Sequence, residues 1–405
     1  MNLRILVLIA LMASSCIGTH ASARDTSSSR TLNSSERSAL FPSEADLEQG
    51  KAIASANCAS CHGMDGVSTE AGRPHLASQR TIYMYRELQA FQANLRADDS
   101  MHQAVKYLGD DTLLKSAIYY ASLDAPEPVA PADEGWMQND DPLASIRAAT
   151  AGCGSCHGAT GNSNVPGMPS LTSQHPQYFV TAMQSYQSGE RSHNLMQMLT
   201  ANLDDQVLAD MGLFYALQTP ETTPFATETD LAAGRSLTES CASCHGADGN
   251  ATGSDMPSIA GQDPGYLSLT LKLYRNGQRR HEAMVNAMAG FSDSELATMV
   301  SYYSSQKPVA RRVQAPLDTS QWLSRCQRCH GRNGVSTDPR YPSLAGQDEA
   351  YLVKAIGAYA SSERVSSLMN AMTKPLSSRD IERLAKYYAA RENKTVIYVD
   401  LPCVD

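Results

Sequence analysis

Cys241-Ala-Ser-Cys244-His245 is one of four versions of a single pentapeptide in this chain, the others being Cys58-Ala-Ser-Cys61-His62, Cys153-Gly-Ser-Cys156-His157 and Cys326-Gln-Arg-Cys329-His330. Two thiols at this spacing can add across the two vinyl groups of a porphyrin, and the histidine after the second then lies under the iron as proximal ligand. A single copy would equally suit a redox-active Cys-x-x-Cys pair. Four copies, using eight of the ten cysteines, predict four covalently attached haem c groups.

Counting forward from His62, His157, His245 and His330 shows how much else recurs without a gap. At +12 stand Pro74, Pro169, Pro257 and Pro342, at +21 Tyr83, Tyr178, Tyr266 and Tyr351, and at +34 Arg96, Arg191, Arg279 and Arg364. At +39 stand Met101, Met196, Met284 and Met369, and at +58 Tyr120, Tyr215, Tyr303 and Tyr388. An internal repeat of this kind fixes the architecture before any secondary structure is assigned.

A thioether is a soft ligand able to close the sixth position of haem iron and raise its potential, so the +39 methionines are the expected axial partners of the four histidines. Of the seventeen methionines, Met183, Met211 and Met299 read as core filler, and Met198, Met288 and Met372 fall at differing offsets. His102, beside Met101, is the competing imidazole for the first iron. The +12 prolines are expected to accept, at their carbonyls, the hydrogen bond of each proximal histidine's other ring nitrogen; the plainer alternative is loop punctuation. Glycines at +1 and +4 fit a backbone turning tightly against the porphyrin. The +34 arginines either pair with haem propionates or face solvent.

Helical signals place these groups. Leu296, Met299, Val300 and Tyr303 form an apolar stripe behind the capping box Ser292-x-x-Glu295, echoed by Ser377-x-x-Asp380 ahead of Ile381, Leu384, Ala385 and Tyr388. A short helix should run into each motif and another follow each proline loop, with Pro176 and Pro264 in first turns. No useful strand pattern appears. The prediction is an all-α chain of four tandem domains, residues 42–125, 140–220, 228–307 and 317–394, joined by linkers at Asp124 to Pro142, Thr219 to Thr229 and Lys307 to Thr319. Domains this small need the haem as core.

These residues resemble the class I c-type cytochromes, and among them the dihaem cytochromes c4. The resemblance rests on Cys-x-x-Cys-His-Gly-x-x-Gly, on Pro-Ser-Ile-Ala-Gly-Gln-Asp-Pro-Gly-Tyr-Leu from Pro257, on Gly277-Gln-Arg279, Met284 and Phe291-Ser-Asp, and on Tyr302-Tyr303. Pro342-Ser-Leu-Ala-Gly-Gln and Leu376-Ser-Ser match in the fourth repeat, whereas repeats one and two carry Ser78-Gln79 and Ser173-Gln174 where the later ones have Gly-Gln. The resemblance implies two dihaem units in tandem that pass electrons in the periplasm, commonly towards terminal oxidases. The tighter match of repeats three and four suggests that repeat one pairs with two and three with four.

Arg4, the apolar run Ile5 to Ala13 and Ala21-Ser22-Ala23 read as a signal peptide over residues 1–23. The run is too short to span a membrane and no later segment comes close. A lipid anchor at Cys16, after Ala13-Ser-Ser, is the alternative; Cys403 reads as a tail thiol or an intermolecular disulfide. The chain carries a formal charge of −9, which becomes −10 without residues 1–23; residues 24–225 sum to −11 and 226–405 to +1. Such a balance does not suggest nucleic-acid binding and is compatible with docking of different redox proteins, a donor and an acceptor such as a membrane oxidase, at the two ends. The expected function is periplasmic electron transfer between a respiratory donor and a terminal oxidase or reductase. The alternatives are a peroxidase-like haem enzyme and the cytochrome subunit of a dehydrogenase or oxidase complex.

Overall fold

Each repeat is built from four short helices whose limits follow from local sequence. The first runs to the cysteines: Glu44–Asn57 continued by Ala59–His62, Ala144–Thr150 before Gly154–His157, Leu231–Leu237 before Ala242–His245, and the single helix Thr319–His330. Gly63, Gly158, Gly246 and Gly331 follow the motif histidines at φ of 75°, 80°, 80° and 76°, a conformation that stops a helix at little cost only in glycine. The second helix is Thr81–Gln92, Pro176–Gln187, Pro264–Arg275 or Glu349–Ala360, with Pro176 and Pro264 in the first turn as expected. A seven-residue helix carries the +39 methionine. The last helix is Asp110–Ser122, Asp205–Leu217, Asp293–Ser305 or Ser378–Ala389, and both predicted capping boxes form, at Ser292/Glu295 and Ser377/Asp380.

The computed structural model describes residues 31–128, 135, 140–226, 231–396 and 398, and among these no strand forms. No helix of the described residues is long and apolar enough to cross a membrane. Residues 1–23, expected to be a signal peptide, with Cys16, Cys403 and part of two expected linkers, lie outside the described residues. Between the domains, residues 219–226 and 307–318 are irregular, as expected of linkers.

Each repeat buries its terminal helix: Leu113, Leu208, Leu296 and Leu384 are at most 1 % exposed, as are Tyr215 and Tyr388, with Tyr120 at 2 % and Tyr303 at 4 %. Burial of each such side chain contributes about 1.5–3 kcal/mol. Met183, Met211 and Met299 are buried core, as expected. In repeat three the first helix approaches the last so closely that a Cβ on Gly234 would lie 2.5 Å from Tyr302 Cβ.

The pairing of repeats corrects the sequence reading. The chain forms two units, one holding repeats one and four (up to Asn139 and from Thr319), the other repeats two and three (Asp140–Asp318). Both units use the same reciprocal latch, made by the glutamine at +17. In the second unit Gln174 Nε2 donates to the Ser258 carbonyl (2.7 Å) and its Oε1 accepts from the Ser258 N–H (3.0 Å), while Gln262 does the same to Ser170 (2.9 and 2.7 Å). In the first unit Gln79 latches onto Ser343 (2.9 and 2.8 Å) and Gln347 onto His75 (2.9 and 2.7 Å).

A second contact explains why like repeats do not pair. Asp348 Oδ1 accepts from the N–H of Gly72 at 2.8 Å, and Asp263 Oδ1 from that of Gly167 at 3.0 Å. Both glycines have φ of +80°. Repeats one and two own this glycine at +10 but have Arg80 and His175 at +18; repeats three and four own the aspartate at +18 but have Asp255 and Arg340 at +10. A pair of one with two would lack the acceptor, and a pair of three with four would lack the glycine turn. Arg80, 2 % exposed, takes the complementary role in the first unit, donating to the Ser336 carbonyl (2.7 Å) and to Ser343 Oγ (2.6 Å). The charge division between chain halves therefore does not follow the folded units: residues 140–318 sum to −7, and residues 24–139 with 319–405 to −3.

Candidate haem sites

The four motif histidines are held identically. His62, His157, His245 and His330 are 7–8 % exposed, and Nδ1 of each meets the carbonyl of its +12 proline at 3.1, 2.8, 2.9 and 2.9 Å. That bond occupies Nδ1 and leaves Nε2 as the nitrogen available to a metal. Burial holds all four imidazoles below their ordinary pKa, against the opposing pull of the proline carbonyl. They are thus neutral, the form that ligates. The prolines turn inward because the loop is pinned at the +4 glycine: the Gly66 carbonyl accepts from Leu76 and Ala77, and the Gly249 carbonyl from Ile259 and Ala260.

None of the eight motif cysteines is joined in a disulfide. Burial raises the first thiol of repeats one and four, Cys58 and Cys326, to about 11. Such thiols are protonated at neutral pH and unreactive without assistance.

Each +39 methionine occupies the third position of its seven-residue helix: Met101 in Asp99–Val105, Met196 in Asn194–Thr200, Met284 in Glu282–Met288 and Met369 in Ser367–Thr373. In three repeats the methionine's own N–H donates to the N-cap side chain, Met101 to Asp98 (3.0 Å), Met196 to His193 (3.3 Å) and Met369 to Ser366 (3.4 Å). The cap therefore fixes the backbone from which the thioether projects. His102, the competing imidazole, is tied through Nδ1 to the Phe91 carbonyl at 2.9 Å.

The first unit encloses a cavity of about 1380 Å³ lined by Cys58, Cys61, His62 and Met101 from repeat one and Cys326, Cys329, His330 and Met369 from repeat four. Its size exceeds the usual range of single-ligand pockets, about 300–1,000 Å³. Nε1 of Trp322, which lines the cavity, is buried without a hydrogen-bond partner, whereas the buried hydroxyls of Tyr215, Tyr303 and Tyr388 lie beside the first motif cysteines Cys153, Cys241 and Cys326. A buried donor left over in this way fits a missing polar partner. The donor set recurs in every repeat and fits a covalently attached haem in each.

Two expectations change. A Cβ at the +4 glycines would strike the +58 tyrosine ring, at 2.5 Å for Gly161 against Tyr215 and for Gly334 against Tyr388, so the tyrosine already demands glycine there. The +34 arginines do not simply face solvent: Arg279 and Arg364 are 8 % exposed. Arg96 donates to Tyr351 Oη (3.1 Å) and Arg364 to Tyr83 Oη (3.2 Å), each reaching the other repeat of its unit. Arg191 and Arg279 instead reach Tyr178 and Tyr266 of their own repeats (3.3 and 3.5 Å). The residues that sequence reading missed are Gln79, Gln174, Gln262 and Gln347. Their invariant +17 offset was the available signal.

Comparison with known proteins finds c-type cytochromes. The family model for Cytochrome c matches residues 47–111 and 231–307, within repeats one and three. Cytochrome c4 of Thiocapsa roseopersicina is 34% identical over 180 residues, covering 41% of this chain and 92% of that protein. A thiosulfate dehydrogenase electron acceptor of Thiomonas intermedia is 26% identical over 170 residues, 38% of this chain and 78% of its own length. The structure of reduced cytochrome c4 from Pseudomonas stutzeri aligns with a TM-score of 0.36 at 24% identity, covering 40% of this chain and 97% of that one.

Proposed function

Because this chain belongs to the class I c-type cytochromes, we propose that it is a tetrahaem member, exported to the periplasm, that carries electrons between a respiratory donor and a terminal oxidase or reductase. A haem c group supplies one-electron chemistry through its iron. The observation that carries the proposal is the fourfold recurrence of one donor set, two thiols and a carbonyl-oriented neutral histidine followed by a methionine on a short helix. Cys58, Cys61, Cys153, Cys156, Cys241, Cys244, Cys326 and Cys329 would form the thioethers. His62, His157, His245 and His330 would be proximal ligands, with Met101, Met196, Met284 and Met369 opposite them. Each proline carbonyl keeps its imidazole in one orientation and leaves Nε2 as the nitrogen that would hold the iron.

A candidate methionine for every iron argues against a peroxidase-like centre, which needs an open position. The relative named as an electron acceptor of thiosulfate dehydrogenase supports a donor of the oxidoreductase class. Export through residues 1–23 is part of the same proposal, since covalent haem attachment in bacteria takes place outside the cytoplasm.

Denaturing mass spectrometry of the holoprotein should show four bound haems, and the oxidised protein a weak red methionine-to-iron band. Met284→Ala should make one iron in four bind carbon monoxide. Fewer than four haems, or a high-spin resting spectrum, would sink the assignment for the repeat concerned.

A further inference from the structure

The two seams differ in buried charge at one position. In the first unit the Glu87 carboxylate, with its side chain 16 % exposed, bridges Arg96 (2.6 Å) and Arg364 (2.7 Å). Glu87 stands 25 residues after its motif histidine. The equivalent positions in the other repeats are Ala182, Thr270 and Ala355, none of which is charged. Among the described residues no carboxylate pairs with Arg191 or Arg279. Thr270 Oγ1 stands near Arg279 instead, at 3.4 Å. The two +34 arginines of the first seam thus share a carboxylate and those of the second have none, while Arg80 in the first and Arg311 in the second each add one further guanidinium, bonded to Ser343 Oγ and Ser258 Oγ.

This difference lies beside the electron-carrying sites. Glu87, Arg96 and Arg364 line the same cavity as the motif cysteines, histidines and methionines of repeats one and four. Burial alone would push the Glu87 carboxyl up, but Arg364 and Arg96 outweigh it and hold the group below the ordinary carboxylate value, so it is ionised at neutral pH. A nearby negative charge in a poorly screened interior disfavours the arrival of an electron, and an uncompensated positive charge favours it.

We propose that Glu87 makes the haem pair of the unit built from repeats one and four the lower-potential pair, so that electrons settle on repeats two and three. The proposal rests on the four-haem reading and adds a direction to it. When a one-electron donor has delivered two electrons to the oxidised protein, the donor is oxidised twice, two ferric irons of the second unit become ferrous, and the first unit stays ferric. Glu87 acts through charge and touches no reacting atom; it is a tuning residue.

The test is an anaerobic optical redox titration of the full-length holoprotein, wild type, Glu87→Gln and Thr270→Glu, after mass spectrometry has counted the haems. Glu87→Gln should raise the two lowest-titrating haems. At a fixed potential their reduced-to-oxidised ratio should grow at least about threefold, the effect a unit charge has at an effective dielectric of about 20 even some 25 Å away. Thr270→Glu should lower the two highest-titrating haems by a similar factor. Four haems with unmoved potentials in Glu87→Gln, or a shift confined to the high-potential pair, would overturn the inference while leaving the tetrahaem reading intact. A haem count below four would instead strike the tetrahaem reading. If Glu87→Gln does not accumulate, Thr270→Glu decides alone: unchanged upper potentials refute the proposal.

Discussion

The two units share a latch and differ in what they bury beside it. In both, the +17 glutamines grip the backbone of the residue after the partner's proximal-loop proline, so the contact that joins two repeats also steadies the loop that orients each histidine. Only the first unit adds a carboxylate between its two arginines. The backbone latch is indifferent to side-chain identity at most neighbouring positions. The difference between the units teaches that the shared backbone latch sets the pairing, and that the Glu87–Arg364 ion pair adds to the first unit alone a contact that both joins its repeats and carries charge.

The largest effect should come from the latch itself. Gln262→Ala would leave the Ser170 N–H and carbonyl buried without partners, at about 1–3 kcal/mol for each unsatisfied group. The denaturant midpoint of the second unit should fall, while that of the first stays in place. Equal losses in both units, or none, would break the claim that the glutamines serve one seam each.

A smaller and more selective difference should appear with pH. The Glu87 carboxyl sits below its ordinary value of 4.5 in the folded protein, so the unfolded chain binds its proton more readily. Its contribution is then fully present above about pH 4.5 and is lost as the pH falls through the folded value. Acid denaturation followed by near-ultraviolet dichroism should show the first unit losing stability below pH 4.5 in a way that Glu87→Gln removes. The second unit should show no matching change in the same variant.

Much of this was legible in the sequence. The fourfold repeat, the helices and their caps and the histidine–proline pairs follow from local spacing, because one helix turn or one short loop determines each of them. Pairing was not, since it depends on which surfaces meet across large separations in the chain. The relevant complementarity, glycine at +10 against aspartate at +18, is present at Gly72, Gly167, Asp263 and Asp348, but the tighter family match of repeats three and four points to the other pairing. The seam contacts of Arg96 and Arg364 are hidden for a related reason: their partners Tyr351 and Tyr83 lie 255 and 281 residues away. Ser78 and Ser173, which made the first two repeats look divergent, adopt φ of 57° and 62° where Gly261 and Gly346 adopt 65° and 63°. The turn is the same in all four, at some strain in the serine versions.

The nested arrangement of the four repeats is tested most directly by cutting the chain between them. Protease sites introduced after Asn139 and before Thr319 would divide the haem-loaded protein into three pieces under native conditions. The account predicts that residues 140–318 elute as one fragment with two haems, while the N-terminal and C-terminal pieces elute together as a noncovalent complex that also carries two. Separation of those outer pieces, each with one haem, would contradict it.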